Sequence, residues 1–131
     1  MTQGKKHILI VDDDIDFLTQ VKICVEHAGY KVTTADCQKD GEKQIESFKP
    51  DLAIFDLMME KDDSGFILSY KLKKKYPDVP VIIATAVTAE TGMIFNLENE
   101  SEHSWIKADK YLDKNLRPDQ LKREISKLLD K

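Results

Sequence analysis

A chain of 131 residues is the size of one ordinary domain and too short for two comfortable ones. Its 41% apolar and 34% charged residues exclude a disordered chain, and its net charge of −4 supplies no basic stripe for nucleic acid. The longest apolar runs, such as 8–11 and 81–84, fall far below the roughly 20 residues that cross a bilayer, which excludes membrane insertion by a helix.

In chain order, 7–11 is a continuous, β-branched run, the pattern of a strand buried on both faces. Asp14 suits the cap of a helix whose apolar positions Phe17, Leu18, Val21, Val25 and Ala28 recur at helical spacing, and Gly29 stops it. A second strand is predicted over 30–35 and a short helix over 40–48, broken by Pro50. Residues 52–55 form a third strand, and Ser64 caps a helix running to Tyr76. Lys71, Lys73, Lys74 and Lys75 end that helix, where a solvated cluster suits the negative end of its dipole. Pro77 and Pro80 bracket a turn before a fourth strand over 81–84. The stretch 86–108 has no clear periodicity, 110–113 is a fifth short strand, and Pro118 opens a last helix with the stripe Leu121, Ile125, Leu128 and Leu129.

Strands alternating with helices imply βαβ units with right-handed crossovers and a parallel sheet covered on both faces. No repeat or linker divides the chain, so residues 1–131 read as one α/β domain with an insertion around 86–108. The N-terminus runs from polar residues directly into a strand, with no signal-peptide pattern. Cys24 and Cys37 make no disulfide framework, and Cys24, set among apolar residues, reads as a buried free thiol. The expected location is cytoplasmic.

In a parallel sheet, ligands gather beyond the carboxyl ends of the strands, where strand order reverses. Strand one ends in Asp12-Asp13-Asp14, strand three in Asp56, strand four in Thr85 and strand five in Lys114. Singly, each has an ordinary explanation: a cap for Asp14, a turn for Asp56, a solvated surface lysine for Lys114. Together, at matching ends of successive strands, they describe a site. Carboxylates converging from two strands repel, and a hard divalent ion with oxygen ligands relieves the repulsion. Mg²⁺ suits one or two carboxylates plus a phosphoryl oxygen, one carboxylate can then attack phosphorus, and a nearby ammonium spreads the transferring charge.

The same residues carry a family resemblance. The runs Ile8-Leu9-Ile10-Val11-Asp12-Asp13-Asp14, Pro50-Asp51-Leu52-Ala53-Ile54-Phe55-Asp56-Leu57-Met58-Met59, Val81-Ile82-Ile83-Ala84-Thr85-Ala86 and Ala108-Asp109-Lys110-Tyr111-Leu112-Asp113-Lys114 resemble, in order, four motifs of the bacterial response-regulator receiver domain. The resemblance implies a flavodoxin-like doubly wound (βα)5 fold with a five-stranded parallel sheet in the order 2-1-3-4-5. It implies that Asp56 accepts phosphate from a sensor histidine kinase or phosphotransfer protein. Asp13 would bind Mg²⁺ directly, Asp12 through water, and the Met58 backbone carbonyl would join Asp56 as a further ligand. Thr85 and Lys114 would hold the phosphoryl oxygens. Tyr111 would turn inward as Thr85 moves, altering the face made by the family's fourth helix, fifth strand and fifth helix for a downstream protein. Lys110 is a rival to Lys114, but it stands at the wrong edge of the fifth strand.

Three departures from the family pattern stand out. Glu60 replaces a proline and Gly65 comes one residue late, which makes the loop of Glu60, Lys61, Asp62 and Asp63 longer and more acidic. Asn115 follows Lys114 where the family has proline. About 25 residues separate Thr85 from Tyr111, more than the family's spacing, and they include Met93, Phe95 and Trp105. Met58 and Val87 occupy positions that in the family tune hydrolysis of the acyl phosphate, and apolar side chains cannot orient an attacking water.

The resemblance thus implies a switch that catalyses only its own phosphorylation and dephosphorylation. An aspartyl-phosphate hydrolase would want Asp-x-Asp on one strand and a cap domain, whereas Met58 fills the second position. The alternative is a phosphorylation-independent binding module on the same scaffold. With no output domain expected, the effect passes through protein contacts, as monomer or as activation-linked dimer.

Overall fold

The computed structural model describes residues 6–56, 64–85, 109–113 and 118–129. Five strands form one parallel sheet: β1 (His7–Val11), β2 (Lys31–Ala35), β3 (Leu52–Asp56), β4 (Val81–Thr85) and β5 (Lys110–Asp113), in the order β2-β1-β3-β4-β5. The described helices are α1 (Ile15–His27), α2 (Gln38–Ser47), α3 (Ser64–Lys75) and α4 (Pro118–Leu129). This is a flavodoxin-like α/β architecture. Met58, Val87, Lys114, Trp105 and the whole stretch 86–108 lie outside the described residues.

Side-chain alternation along the strands sorts the core into two layers. Leu9 and Val11 of β1, Ala53 and Phe55 of β3, and Val81 and Ile83 of β4 pack with Ile45 of α2 and Phe66, Leu68 and Leu72 of α3. Ile8 and Ile10, Leu52 and Ile54, and Ile82 and Ala84 pack with Leu18, Val21 and Val25 of α1 and Leu121 and Ile125 of α4. The continuous apolar runs are thus strands buried on both faces, and each fully buried Leu or Ile contributes about 1.5–3 kcal/mol relative to exposure. On α1 the apolar stripe is narrower than its spacing suggests, because Ala28 is exposed and Phe17 only partly buried.

The helix ends follow local chemistry. Asp14 caps α1, its side chain accepting from the Phe17 amide at 3.2 Å. At the other end Gly29 takes φ of +99°, and the amides of Gly29 and Tyr30 donate back to the carbonyls of Glu26 and Val25. This is a Schellman closure, whose left-handed residue glycine adopts without a Cβ penalty. Tyr30 is spent on that closure, so β2 begins at Lys31 rather than at residue 30. Helix α2 starts at Gln38, earlier than its apolar pattern suggests, because the Cys37 thiol acts as its cap and accepts from the Asp40 amide at 3.5 Å. Ser64 is the first residue of α3, inside the helix rather than before it.

One further expectation needs correction. Cys24 is only half-buried, and that partial burial raises its thiol pKa. The lysines closing α3 form a solvated helix end, as expected, with Lys71, Lys74 and Lys75 exposed, and three of them are also paired: Lys71 with Glu42 at 3.1 Å, Lys75 with Glu46 at 3.0 Å, and the less exposed Lys73 with Asp109 at 2.7 Å. The first two tie α3 to α2 and the third ties it to the start of β5.

Candidate functional site

In the order β2-β1-β3-β4-β5, β1 is flanked by β2 on one side and β3 on the other, so the direction of winding reverses between β1 and β3. A crevice at such a reversal, beyond the carboxyl ends of the strands, is where open α/β sheets bind ligands. The β1–β3 register pairs Val11 with Phe55, which places Asp12 and Asp56 side by side at the next step of the two chains. Asp56 itself pairs with Ala84, and the β4–β5 register pairs Thr85 with Asp113. The backbone of β4 therefore delivers Thr85 to the same edge as the acids, and Lys114 follows Asp113 directly in the chain.

Asp12, Asp13 and Asp56 converge there, each offering a carboxylate oxygen within 4.8 Å of the others. Asp12 and Asp56 are buried, at 1% and 5% exposure, while Asp13 is exposed and marks the open side. Asp12 is held in place from two directions. Its amide donates to the Ala35 carbonyl at 3.1 Å, and its Oδ1 accepts from the Asp14 amide at 2.8 Å. Asp14 is itself committed to capping α1, which separates it from the converging group.

Like charges gathered at this separation, two of them withdrawn from water, destabilise one another unless a cation or a proton intervenes. The donor set is all oxygen, carried on two adjacent strand ends and open on one side. That fits a hard divalent ion such as Mg²⁺, which keeps waters and accepts one or two carboxylates together with a substrate oxygen.

The structure thus brings together Asp12, Asp13 and Asp56. It puts the backbones of Thr85 and Tyr111 on β4 and β5, with Tyr111 opposite Ile83. Lys110 pairs with Ile82 at the amino end of β5 and forms an ion pair with Glu124 at 3.7 Å, away from the acids. A second grouping, Asp36, Cys37 and Asp40, lies after β2. There the thiol is engaged in capping α2, so the grouping reads as a helix start. Sequence reading missed Asp109, whose carboxylate accepts from both the Val81 amide and Lys73. Its only signal was its place in the motif before β5.

Comparison with known proteins gives one consistent result. The family model of the response regulator receiver domain matches residues 8–126. The response regulator SaeR of Staphylococcus epidermidis is 35% identical over 123 residues, covering 94% of this chain and 50% of that protein. The alkaline phosphatase synthesis transcriptional regulatory protein PhoP of Bacillus subtilis is 30% identical, over 95% of this chain and 48% of its own length. The chain therefore spans about half the length of these curated relatives. Among solved structures, a CheY-like receiver domain protein from Methanospirillum hungatei superposes with a TM-score of 0.81 at 31% identity, covering 97% of this chain and 95% of that one. The response regulator TrrA from Thermotoga maritima, solved in complex with Mg²⁺–BeF, gives a TM-score of 0.78 at 29% identity, over 95% and 99% of the two chains.

Proposed function

Since the chain belongs to the response regulator receiver family, we propose that it is a phosphoacceptor switch in which Asp56 takes a phosphoryl group from a sensor histidine kinase or phosphotransfer protein. The observation that carries this reading is the convergence of Asp12, Asp13 and Asp56 at the reversal point of the sheet.

Asp12, Asp13 and Asp56 would hold Mg²⁺ with the Met58 carbonyl, and the ion would neutralise charge on the phosphoryl oxygens. A carboxylate oxygen of Asp56 attacks phosphorus and forms a new O–P bond. The P–N bond to the donor histidine breaks, and the nitrogen keeps the bonding pair and takes up a proton. Burial of Asp56 between β1 and β4 limits approach to the open side, so the donor must present its phosphoryl group there. Lys114 and Thr85 steady the phosphoryl oxygens from the neighbouring strand ends. The chain acts on its own Asp56 and on no external substrate.

The full (βα)5 arrangement belongs to the same reading. Phosphorylation converts a carboxylate into an acyl phosphate, which adds roughly one net negative charge and places three acceptor oxygens at one strand end. Thr85 and Tyr111 carry that change to a face that includes β5 and α4, which a downstream protein reads. Met58 and Val87 give hydrolysis no polar group to orient water, which favours a long-lived phosphorylated state in a cytoplasmic phosphorelay.

Intact-mass analysis after incubation with acetyl phosphate and Mg²⁺ tests the reading. A single phosphoryl adduct is expected, dependent on Mg²⁺ and absent in Asp56→Asn. No adduct in the parent protein would point to a phosphorylation-independent binding module.

A further inference from the structure

Strand β5 is four residues long and lies at the edge of the sheet. An edge strand this short is weakly held in register. Leu112, 9% exposed, packs with the α1/α4 layer and fixes which face of β5 looks inward. A slip of one residue would turn Leu112 outward and is excluded by that burial. A slip of two residues keeps the same face and shifts the chain by roughly 6.6 Å along the strand. Alternation alone does not exclude it.

The slip would bring Lys110 or Lys114 to the buried position of Leu112, and a second element that discriminates against it stands at the amino end of β5. The Asp109 amide donates to the Val81 carbonyl at 2.8 Å, while Asp109 Oδ2 accepts from the Val81 amide at 2.8 Å. The same oxygen meets Lys73 Nζ at 2.7 Å. Lys73 belongs to the last turn of α3, and its side chain is only 14% exposed. The neighbouring Leu72 is buried in the α2/α3 layer, which anchors that turn. One carboxylate therefore ties α3, the first residue of β4 and the entry of β5 together. From this point the ladder runs Ile82–Lys110, Ile83–Tyr111, Ala84–Leu112 and Thr85–Asp113, and Lys114 is the next residue.

We propose that Asp109, held by Lys73, is a positioning residue for the phosphoryl site: it sets the phase of β5 against β4 and thereby where Lys114 falls beside Asp56. The inference rests on the reading of Asp56 as phosphoacceptor with Lys114 as its cation. It assigns an ion pair at the amino end of the sheet a role in chemistry at the carboxyl end. A slip of two residues would displace the end of β5, from which the chain continues to Lys114, by roughly 6.6 Å, more than the length of a hydrogen bond. Misplacements much smaller than this already slow reactions of bound groups.

The test is a double-mutant cycle read by phosphorylation rate with acetyl phosphate at saturating Mg²⁺, with Mg²⁺ affinity measured separately by calorimetry. Asp109→Ala is expected to slow phosphorylation roughly tenfold or more while leaving Mg²⁺ affinity within about twofold. Added to Lys114→Ala, it should cost nothing further, because both act through the same ammonium. Asp109→Asn keeps an acceptor for the Val81 amide and should recover much of the rate; Lys73→Met removes the pair from the other side and should resemble a mild Asp109→Ala. If Asp109→Ala proves unable to fold, Lys73→Met, alone and combined with Lys114→Ala, carries the same comparison. Additive losses from Asp109 and Lys114, or a matching fall in Mg²⁺ affinity, would overturn the positioning role in favour of general stability. A normal rate in Asp109→Ala, with Lys114→Ala slow, would overturn the proposal alone. Absence of any adduct in the parent protein, or a normal rate in Lys114→Ala, would overturn the reading of the site and this inference with it.

Discussion

At the carboxyl end of the sheet Asp12, Asp13 and Asp56 bring like charges together, two of them out of water. At the amino end, Asp109 meets Lys73, Glu124 meets Lys110, Asp78 meets Lys49, and Asp51 accepts from the His7 amide at 2.7 Å. The contrast is informative because both ends are built from the same five strands and the same two apolar layers. The amino end matches its acids with cations and amides of the chain itself. The carboxyl end gathers three carboxylates within 4.8 Å of one another, and sites of this kind give up stability for function.

The largest expected effect sharpens that contrast. Mg²⁺ bound only by the folded state stabilises it by about 2.7 kcal/mol at a hundredfold excess over its dissociation constant. Asp13→Asn should lose most of that gain, yet unfold at a higher temperature than the parent when Mg²⁺ is withheld, because one of three repelling charges is gone. Thermal unfolding with and without MgCl₂ reads both effects. An equal Mg²⁺ shift in parent and variant would mean the acids do not form one site.

A smaller effect concerns how the acids are carried. Gly41 of α2 lies against β1 so closely that a Cβ there would come within 3.1 Å of both Val11 methyl groups and 3.2 Å of Leu68. Val11 is the residue before Asp12. Gly41→Ala gains about 1 kcal/mol of helix propensity, but crowding a packed core costs roughly 1–3 kcal/mol, so a net loss is expected. Urea unfolding should show that loss and also a reduced Mg²⁺ stabilisation, since the displaced strand end bears a ligand. Greater stability with unchanged Mg²⁺ response would show that α2 can retreat without disturbing β1.

These positions also mark where sequence reading reaches its limit. Alternating apolar runs identified the strands buried on both faces, and Asp14 and Gly29 bounded α1, because those signals depend on a few neighbouring residues. The acids at the ends of β1 and β3 were legible for the same reason, each standing directly after an apolar run. The order of the strands came from resemblance, since periodicity implies a parallel sheet but not which strands adjoin. Gly41 and the Lys73–Asp109 pair were not legible. Each is defined by residues far apart in the chain, and a lysine closing a helix looks the same in sequence whether it faces water or an aspartate of another strand. Cys37 was missed as a cap because a thiol is an unusual acceptor in that position.

The smallest effect belongs to the amino end and asks whether its matching of groups is complete. The ring of His7 stacks on Phe48 with centroids 4.1 Å apart, and its Nε2 lies 2.6 Å from the Thr33 hydroxyl. Burial, and then the charge of nearby Lys31, lower its pKa from the usual 6.5, with Asp51 opposing them. Above that ordinary value the imidazole is neutral in both folded and unfolded chains, and it makes no pH-dependent contribution. As pH falls through 6.5, the unfolded chain takes up the proton first, so stability declines until the folded form is protonated as well. The parent should therefore lose stability as pH falls through 6.5 more steeply than His7→Gln, whose glutamine has no proton to take up. Parallel stability curves for the two would show that the Asp51 carboxylate offsets burial and Lys31 in full. The amino end would then be matched in both charge states of His7.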